Sequence, residues 1–150
     1  MGFLDGKRAL IVGVASPRSI AWGIAKAMAD AGAELAFSYQ GEAFGKRLEP
    51  LAQSVGSDIM VDVDVTEEAS MDAAFATLKE RWGTLDFVVH AIAFSDKNEL
   101  TGRFINTSRD NFKNSLAILL GQPPHDMRTI LGPVQPVPAA MMPRPITSAR

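Results

Sequence analysis

The chain has no cysteine, a single tyrosine, two histidines and, in its 150 residues, little excess charge of either sign. Each shortage excludes something. Without cysteine there are no disulfides, no thiolate metal site and no cysteine nucleophile, and no metal is expected; the composition suits a reducing cytosol, so a cytoplasmic location is expected. A net charge of −2 argues against nucleic acid as the main partner, because neutralising phosphates takes a basic surface. The apolar run near the N-terminus, between Arg8 and Gly13, is too short for a signal-peptide core or a membrane span. What remains is 47% hydrophobic and 21% charged, enough for one globular domain with a buried core.

The run from Lys7 to Gly13 reads as a central parallel strand ending in glycine. Ser19 is placed to cap a helix from Ile20 to Ala31, with Ile20, Ile24, Ala27, Met28 and Ala31 at helical spacing and Gly32 at its end. Strands are expected at 33–39, 58–62 and 85–90. Helices are expected at 42–54, where Pro50 could interrupt, from Thr66 to Trp82, and from Asn106–Ser108 onward with Phe112 facing the core. Strands alternating with helices imply βαβ units, a parallel sheet and a Rossmann-type doubly wound α/β fold in the order 3-2-1-4, truncated after about four strands. The far edge of the fourth strand, with Phe87, Val88 and Val89, then lacks a neighbour and invites pairing with other chains.

The composition changes near Ala117. Residues 117–150 hold seven of the nine prolines, with no aromatic residue and no lysine. So dense a proline content is incompatible with helices and central strands, and this segment is expected to be a disordered tail behind a half-domain of residues 1–116. A frameshifted reading from about Ala117 is the expected origin. A genuine proline-rich extension is the competing one, although Pro133-Val134-Gln135-Pro136 supplies only one P-x-x-P spacing.

Four places carry chemistry. The loop from Gly13 to Gly23 joins the first strand to the first helix, where free N–H groups can cradle a pyrophosphate; Gly13 would let backbone approach the ligand and Gly23 would let helix pack on sheet. It departs from the ordinary G-x-G-x-x-G pattern, and a plain strand–helix turn is the alternative. At the end of the second strand stands Gln40, where dinucleotide folds place an acid or a base. A neutral amide can bond a ribose hydroxyl but offers a 2′-phosphate no charge; otherwise Gln40 is an ordinary surface residue. Asp64 at the end of the third strand either accepts from an adenine amino group, with the next N–H adding a bond, or caps the following helix. His90 ends a strand and is read as a packed structural histidine, because no serine or acid completes a triad. His125 has no assignable role.

With these residues in view, the motif G-x-x-x-x-x-S-I-A-x-G from Gly13 to Gly23 resembles the cofactor loop of NADH-dependent enoyl-acyl-carrier-protein reductases in the short-chain dehydrogenase family. So do the stretches MGFLDGKRALIVGVAS, GAELAFSYQGE, GSDIMVDVDVTEEAS and HAIAFSDKNELTGRF. The resemblance runs from Met1 to about Leu116, the N-terminal half only. It implies contacts to NADH from Gly13, Ser19, Ile20, Gln40, Asp64, Val65 and Ile92, and an acyl pocket that uses Ser95. The implied reaction reduces the 2,3 double bond of an enoyl-acyl-carrier-protein thioester in fatty acid biosynthesis. The family's tyrosine and lysine, spaced Tyr-x-x-x-x-x-x-Lys on one helix, lie beyond the matching region; Tyr39, the only tyrosine, ends the second strand, and Lys113 is the last lysine. No catalytic residue is therefore assigned, and the chain is expected to be inactive alone and unable to form the family's homo-oligomer. The alternatives are a non-catalytic NAD-binding module or orphan fragment, and another short-chain reductase such as a ketoacyl reductase, which the Ser19-Ile20 loop and Gln40 disfavour.

Overall fold

In the computed structural model, which describes residues 2–121, four strands alternate with four helices. The order is β1 (Arg8–Val12), α1 (Ile20–Asp30), β2 (Glu34–Tyr39), α2 (Glu42–Ser54), β3 (Ile59–Asp62), α3 (Glu68–Trp82), β4 (Phe87–His90) and α4 (Arg109–Leu120). Two short 3-10 turns, Lys97–Glu99 and Phe104–Asn106, precede α4. All strand pairs are parallel and the sheet order is β3-β2-β1-β4, the order expected from the alternation of elements.

The period of two along β1 explains why its sequence is apolar throughout. Ala9 and Ile11 face one side of the sheet and pack with Trp22 and Ala25 of α1 and Leu48 and Ala52 of α2. Leu10 and Val12 face the other side and pack with Ala74, Phe75 and Leu78 of α3. Phe37 of β2 is fully buried, its ring 6.3 Å from that of Trp22 and tilted by 41°, a separation at which aromatic pairs attract. The buried Ser57 hydroxyl donates to the Leu35 carbonyl at 2.6 Å, so no polar cost is left beside that core. At the opposite end of the sheet Asp86 joins β4 to β1, accepting from the Lys7 ammonium at 2.8 Å and the Arg8 N–H at 2.9 Å. Desolvation opposes ionisation of the Asp86 carboxyl, but these donors outweigh it and hold the group below the usual carboxylate range.

Several expectations need correction. The buried face of α1 is Ala21, Trp22 and Ala25, while Ile20 is 78% exposed and Ile24 and Ala27 are also exposed. The large Trp22 ring, which the apolar spacing left out, sets the rotation of the helix by seating on Phe37. Gly23 is exposed and a Cβ on it would meet nothing, so it does not serve helix–sheet packing. Ser19 occupies the N-cap position of α1, but its hydroxyl turns back to donate to the Ser16 carbonyl at 2.7 Å instead of capping. Pro50 does not interrupt α2, which is held to the sheet on both sides of it by Leu48 and Ala52. Phe112 does not face the core: it is 48% exposed, and Asn111 and Ile118 are the buried residues of α4. That helix continues to Leu120, past the change of composition at Ala117. The rest of the expected tail, with His125, lies outside the described residues.

The rotation of α1 has a measurable consequence. Trp22→Ala is expected to cost about 3–5 kcal/mol of stability, as core aromatic truncations do, while Ile20→Ala should stay within about 0.5 kcal/mol of the parent. Urea unfolding of the two variants checks this; equal losses would place Ile20 in the core.

Candidate functional site

The chain passes from β1 through α1, β2, α2 and β3 to one side, then crosses back over the opposite face through α3 to place β4 beside β1. Strands added after β1 thus lie on one side of it and β4 on the other, so the strand order reverses at β1. In open α/β sheets this switch point is where a crevice forms. Here Gly13 follows β1 with a φ of +107°, and a Cβ at that position would run into the Ala91 carbonyl and the Ile92 nitrogen. A side chain would therefore be strained twice, by its backbone conformation and by collision.

A groove of about 540 Å³ opens over this contact. Its floor is Gly13, Val14 and Ala15 from the end of β1 and Ala91, Ile92 and Ala93 from the end of β4. Tyr39, Gln40 and Phe44 form one wall, and Asp64, Val65 and Thr66 its far end. The groove thus brings together Gly13, Gln40, Asp64, Val65 and Ile92. Ser19 and Ile20 do not line it; they stand at the start of α1, beyond the loop that Gly13 begins. Ser95 lines a neighbouring cavity of about 400 Å³, with Phe94, Leu100, Phe104, Phe112 and Leu116 among its walls. A mainly apolar groove with a few convergent polar groups at one end has the form of a small-molecule site. Among the described residues no three histidine, aspartate or glutamate side chains converge as metal ligands would.

Asp64 organises the polar end. It does not cap α3, whose N-cap position is Glu67. Its Oδ1 accepts from the Thr66 N–H at 2.9 Å and the Thr66 hydroxyl at 2.6 Å, and its Oδ2 accepts from the Gln40 amide at 2.8 Å. The Asp64 N–H donates to the Ser70 hydroxyl at 3.0 Å. The Thr66 hydroxyl and N–H, with a smaller contribution from Gln40, hold the carboxyl below the usual carboxylate range against the opposing effect of burial. Asp62, two residues earlier, accepts from the Gly41 N–H at 3.0 Å. The ends of β2 and β3 are therefore tied together by two carboxylates.

The Ser95 cavity is framed by a second polar network that the sequence reading missed. The buried Asn111 donates to the Ser95 hydroxyl at 3.1 Å and accepts from the Asp96 N–H at 3.0 Å, fastening the loop after β4 to α4. Glu99 accepts from the Ser108 N–H at 2.7 Å and from its hydroxyl at 2.9 Å, which hold the Glu99 carboxyl below its usual range. The Ser108 hydroxyl in turn accepts from the Asn111 N–H and so caps α4. The start of the helix near 106–108 was legible in sequence; an asparagine buried inside the helix carries no local signal. His90 points its Nε2 at the Ile118 carbonyl, 2.7 Å away, and so braces β4 against α4 as a structural histidine.

A parallel doubly wound sheet with a groove at its switch point defines a Rossmann-type α/β protein. The family model described as enoyl-(acyl carrier protein) reductase matches residues 13–128. The chain belongs to that family. It is 60% identical over 117 residues to enoyl-[acyl-carrier-protein] reductase [NADH] 1 of Rhizobium meliloti (strain 1021), covering 78% of this chain and 43% of that protein. The crystal structure of FabI from Candidatus Liberibacter asiaticus superposes with a TM-score of 0.74 at 62% identity, over 77% of this chain and 45% of that one. The enoyl-(acyl-carrier-protein) reductase of Anaplasma phagocytophilum, solved in complex with NAD, does so at 0.74 and 52% identity, with the same coverage. The chain thus spans less than half the length of these relatives.

The lowered Asp64 carboxyl fixes the sign of a pH effect. A group whose folded-state pKa is depressed contributes stability above its unfolded value and loses it as pH falls through the folded value. Thr66→Ala removes one donor to Asp64. Its destabilisation is expected to be largest at neutral pH and to vanish below the usual carboxylate range, as read by unfolding at a series of pH values. A pH-independent difference would show that Thr66 acts otherwise than through the Asp64 carboxylate.

Proposed function

We propose that these residues form the adenine-nucleotide half of an NADH-dependent enoyl-acyl-carrier-protein reductase acting in cytoplasmic fatty acid biosynthesis. The observation that carries the reading is the groove over the Gly13–Ala91 contact, reaching from the switch point to Gln40 and Asp64. Its size suits part of a dinucleotide. In this reading Gly13 leaves room for the cofactor backbone, and Ser19 and Ile20 meet the pyrophosphate at the start of α1, where helix N–H groups favour anions. Gln40 bonds the adenosine ribose, Asp64 and Val65 hold the adenine edge, and Ile92 packs on the dinucleotide. Ser95 and the apolar cavity around it receive the acyl end of the enoyl thioester.

NADH supplies the hydride that reduces the 2,3 double bond. Stabilising the charge that develops on the substrate belongs, by family resemblance, to a tyrosine and a lysine on one helix beyond the matching residues; Tyr39 and Lys46 share that spacing, but Tyr39 ends β2 and Lys46 is paired with Glu42 on α2. Turnover therefore requires that pair from further chain or from a partner, and the family's homo-oligomer has to be completed in the same way. The coverage of under half of each relative gives a second reading its weight: the chain by itself is a nucleotide-binding module without catalysis.

Titration with both cofactors and an enoyl-thioester assay separate the readings. NADH is expected to bind more tightly than NADPH by about tenfold or more, without turnover by the 150-residue chain alone. Equal affinity or a preference for NADPH would contradict the cofactor assignment, and turnover would contradict the need for a supplied Tyr–Lys pair.

A further inference from the structure

We propose that Asp64 positions Gln40 and, through it and through its own charge, is the residue that rejects a 2′-phosphorylated nucleotide. The inference rests on the nucleotide-binding reading above and adds a role to Asp64 that contact with adenine does not require. The Gln40 side chain is exposed at the end of β2, where an unrestrained amide could present either its NH₂ or its oxygen to a ligand. Here one N–H of the NH₂ donates to Asp64 Oδ2 at 2.8 Å. The Asp64 carboxylate has no proton to donate, so this bond fixes the orientation of the amide and leaves the Gln40 oxygen for the ligand. A ribose hydroxyl can donate to that oxygen. A 2′-phosphate dianion has no proton to give and would meet an oxygen lone pair backed by a carboxylate.

The surroundings reinforce this. Asp62 holds the Gly41 N–H, so the backbone donor next to Gln40 is already used. The basic side chains of the first turns of α2 are engaged as well. Lys46 pairs with Glu42 at 2.6 Å, and the Arg47 guanidinium lies 5.8 Å from the Phe44 ring centroid. The N-terminus of α2 would attract a phosphate, but Glu42 in its first turn offsets that field. The two donors from Thr66 hold the Asp64 carboxyl below the usual carboxylate range, which favours its charged, accepting form.

The test uses adenosine 5′-phosphate and adenosine 2′,5′-bisphosphate, which probe only the end of the groove this chain contains. The quantity read is the ratio of their dissociation constants, by calorimetric titration of the full chain. Losses common to both ligands, including any adenine contact of Asp64, cancel in the ratio. The parent is expected to favour the 5′-phosphate by about tenfold or more, and Asp64→Asn, which keeps an acceptor for Thr66, should bring the ratio to within about threefold of unity. Gln40→Ala, an exposed truncation that leaves the fold intact, should lower the ratio partway. Adding Asp64→Asn to it should then change the ratio less than it does in the parent, because positioning requires the two residues to couple. If Asp64→Asn leaves the ratio unchanged, or the two substitutions are additive, the inference is overturned while the nucleotide-binding reading stands. If Asp64→Asn does not fold, a parent ratio unaffected by Gln40→Ala overturns the inference. If the parent binds neither ligand, both readings fall together.

Discussion

The backbones of Gly13 and Ala91 meet where β1 and β4 end, closely enough that no side chain fits between them. Parallel pairing of the two strands brings these ends to one level, with Val12 opposite His90 in the register. The chain must then turn away from β1 with a positive φ, which glycine adopts without penalty. The groove depends on this contact, because its floor is the pair of small-residue segments that leave it, 13–15 and 91–93. Bulk at either would fill the groove or part the strands.

The rest of the site is fastened to that floor by polar bonds between loops. Carboxylates at the end of β3 hold the residues that follow β2, through Asp62 to Gly41 and Asp64 to Gln40. Asn111 and Ser108 of the α4 start hold the loop after β4 at Ser95, Asp96 and Glu99. Loops at the ends of strands have no ladder to order them, and side-chain bonds of this kind replace it. Between the two networks the groove walls are mainly apolar. Alignment of a nucleotide is thus set at the polar end, and the Ser95 cavity adjoins the other end through Ala93 and Phe94.

α4 shows how the described residues depend on what they pack against. Asn111 and Ile118 are buried, while Phe112, Leu116 and Leu119 line the Ser95 cavity and stay partly or largely exposed. An apolar stripe at helical spacing normally marks the core-facing side. Here the stripe flanks a cavity, and the core-facing side contains an asparagine whose amide is satisfied by Ser95, Asp96 and Glu99. The rule fails at this helix because burial of the polar residue is compensated by hydrogen bonds contributed from a distant loop.

Strand identity, the parallel order β3-β2-β1-β4 and the family itself were legible in the sequence. Apolar runs ending in glycine or aspartate and alternating with helix-length segments permit few other arrangements, and local periodicity records them. Of the residues gathered at the groove, Gly13, Gln40 and Asp64 stood out by their places at strand ends, while Val65 and Ile92 were named through the family resemblance alone. Only the tertiary structure decided which face of α1 is buried, because Trp22 seats on Phe37 of a strand that follows it in the chain. Only it joined Asp64 to Gln40, a partner 24 residues away, and left the N-cap position of α3 to Glu67. Orientation about a helix axis and the choice of hydrogen-bond partner are set by contacts between distant segments, and those contacts leave no periodic trace in the sequence.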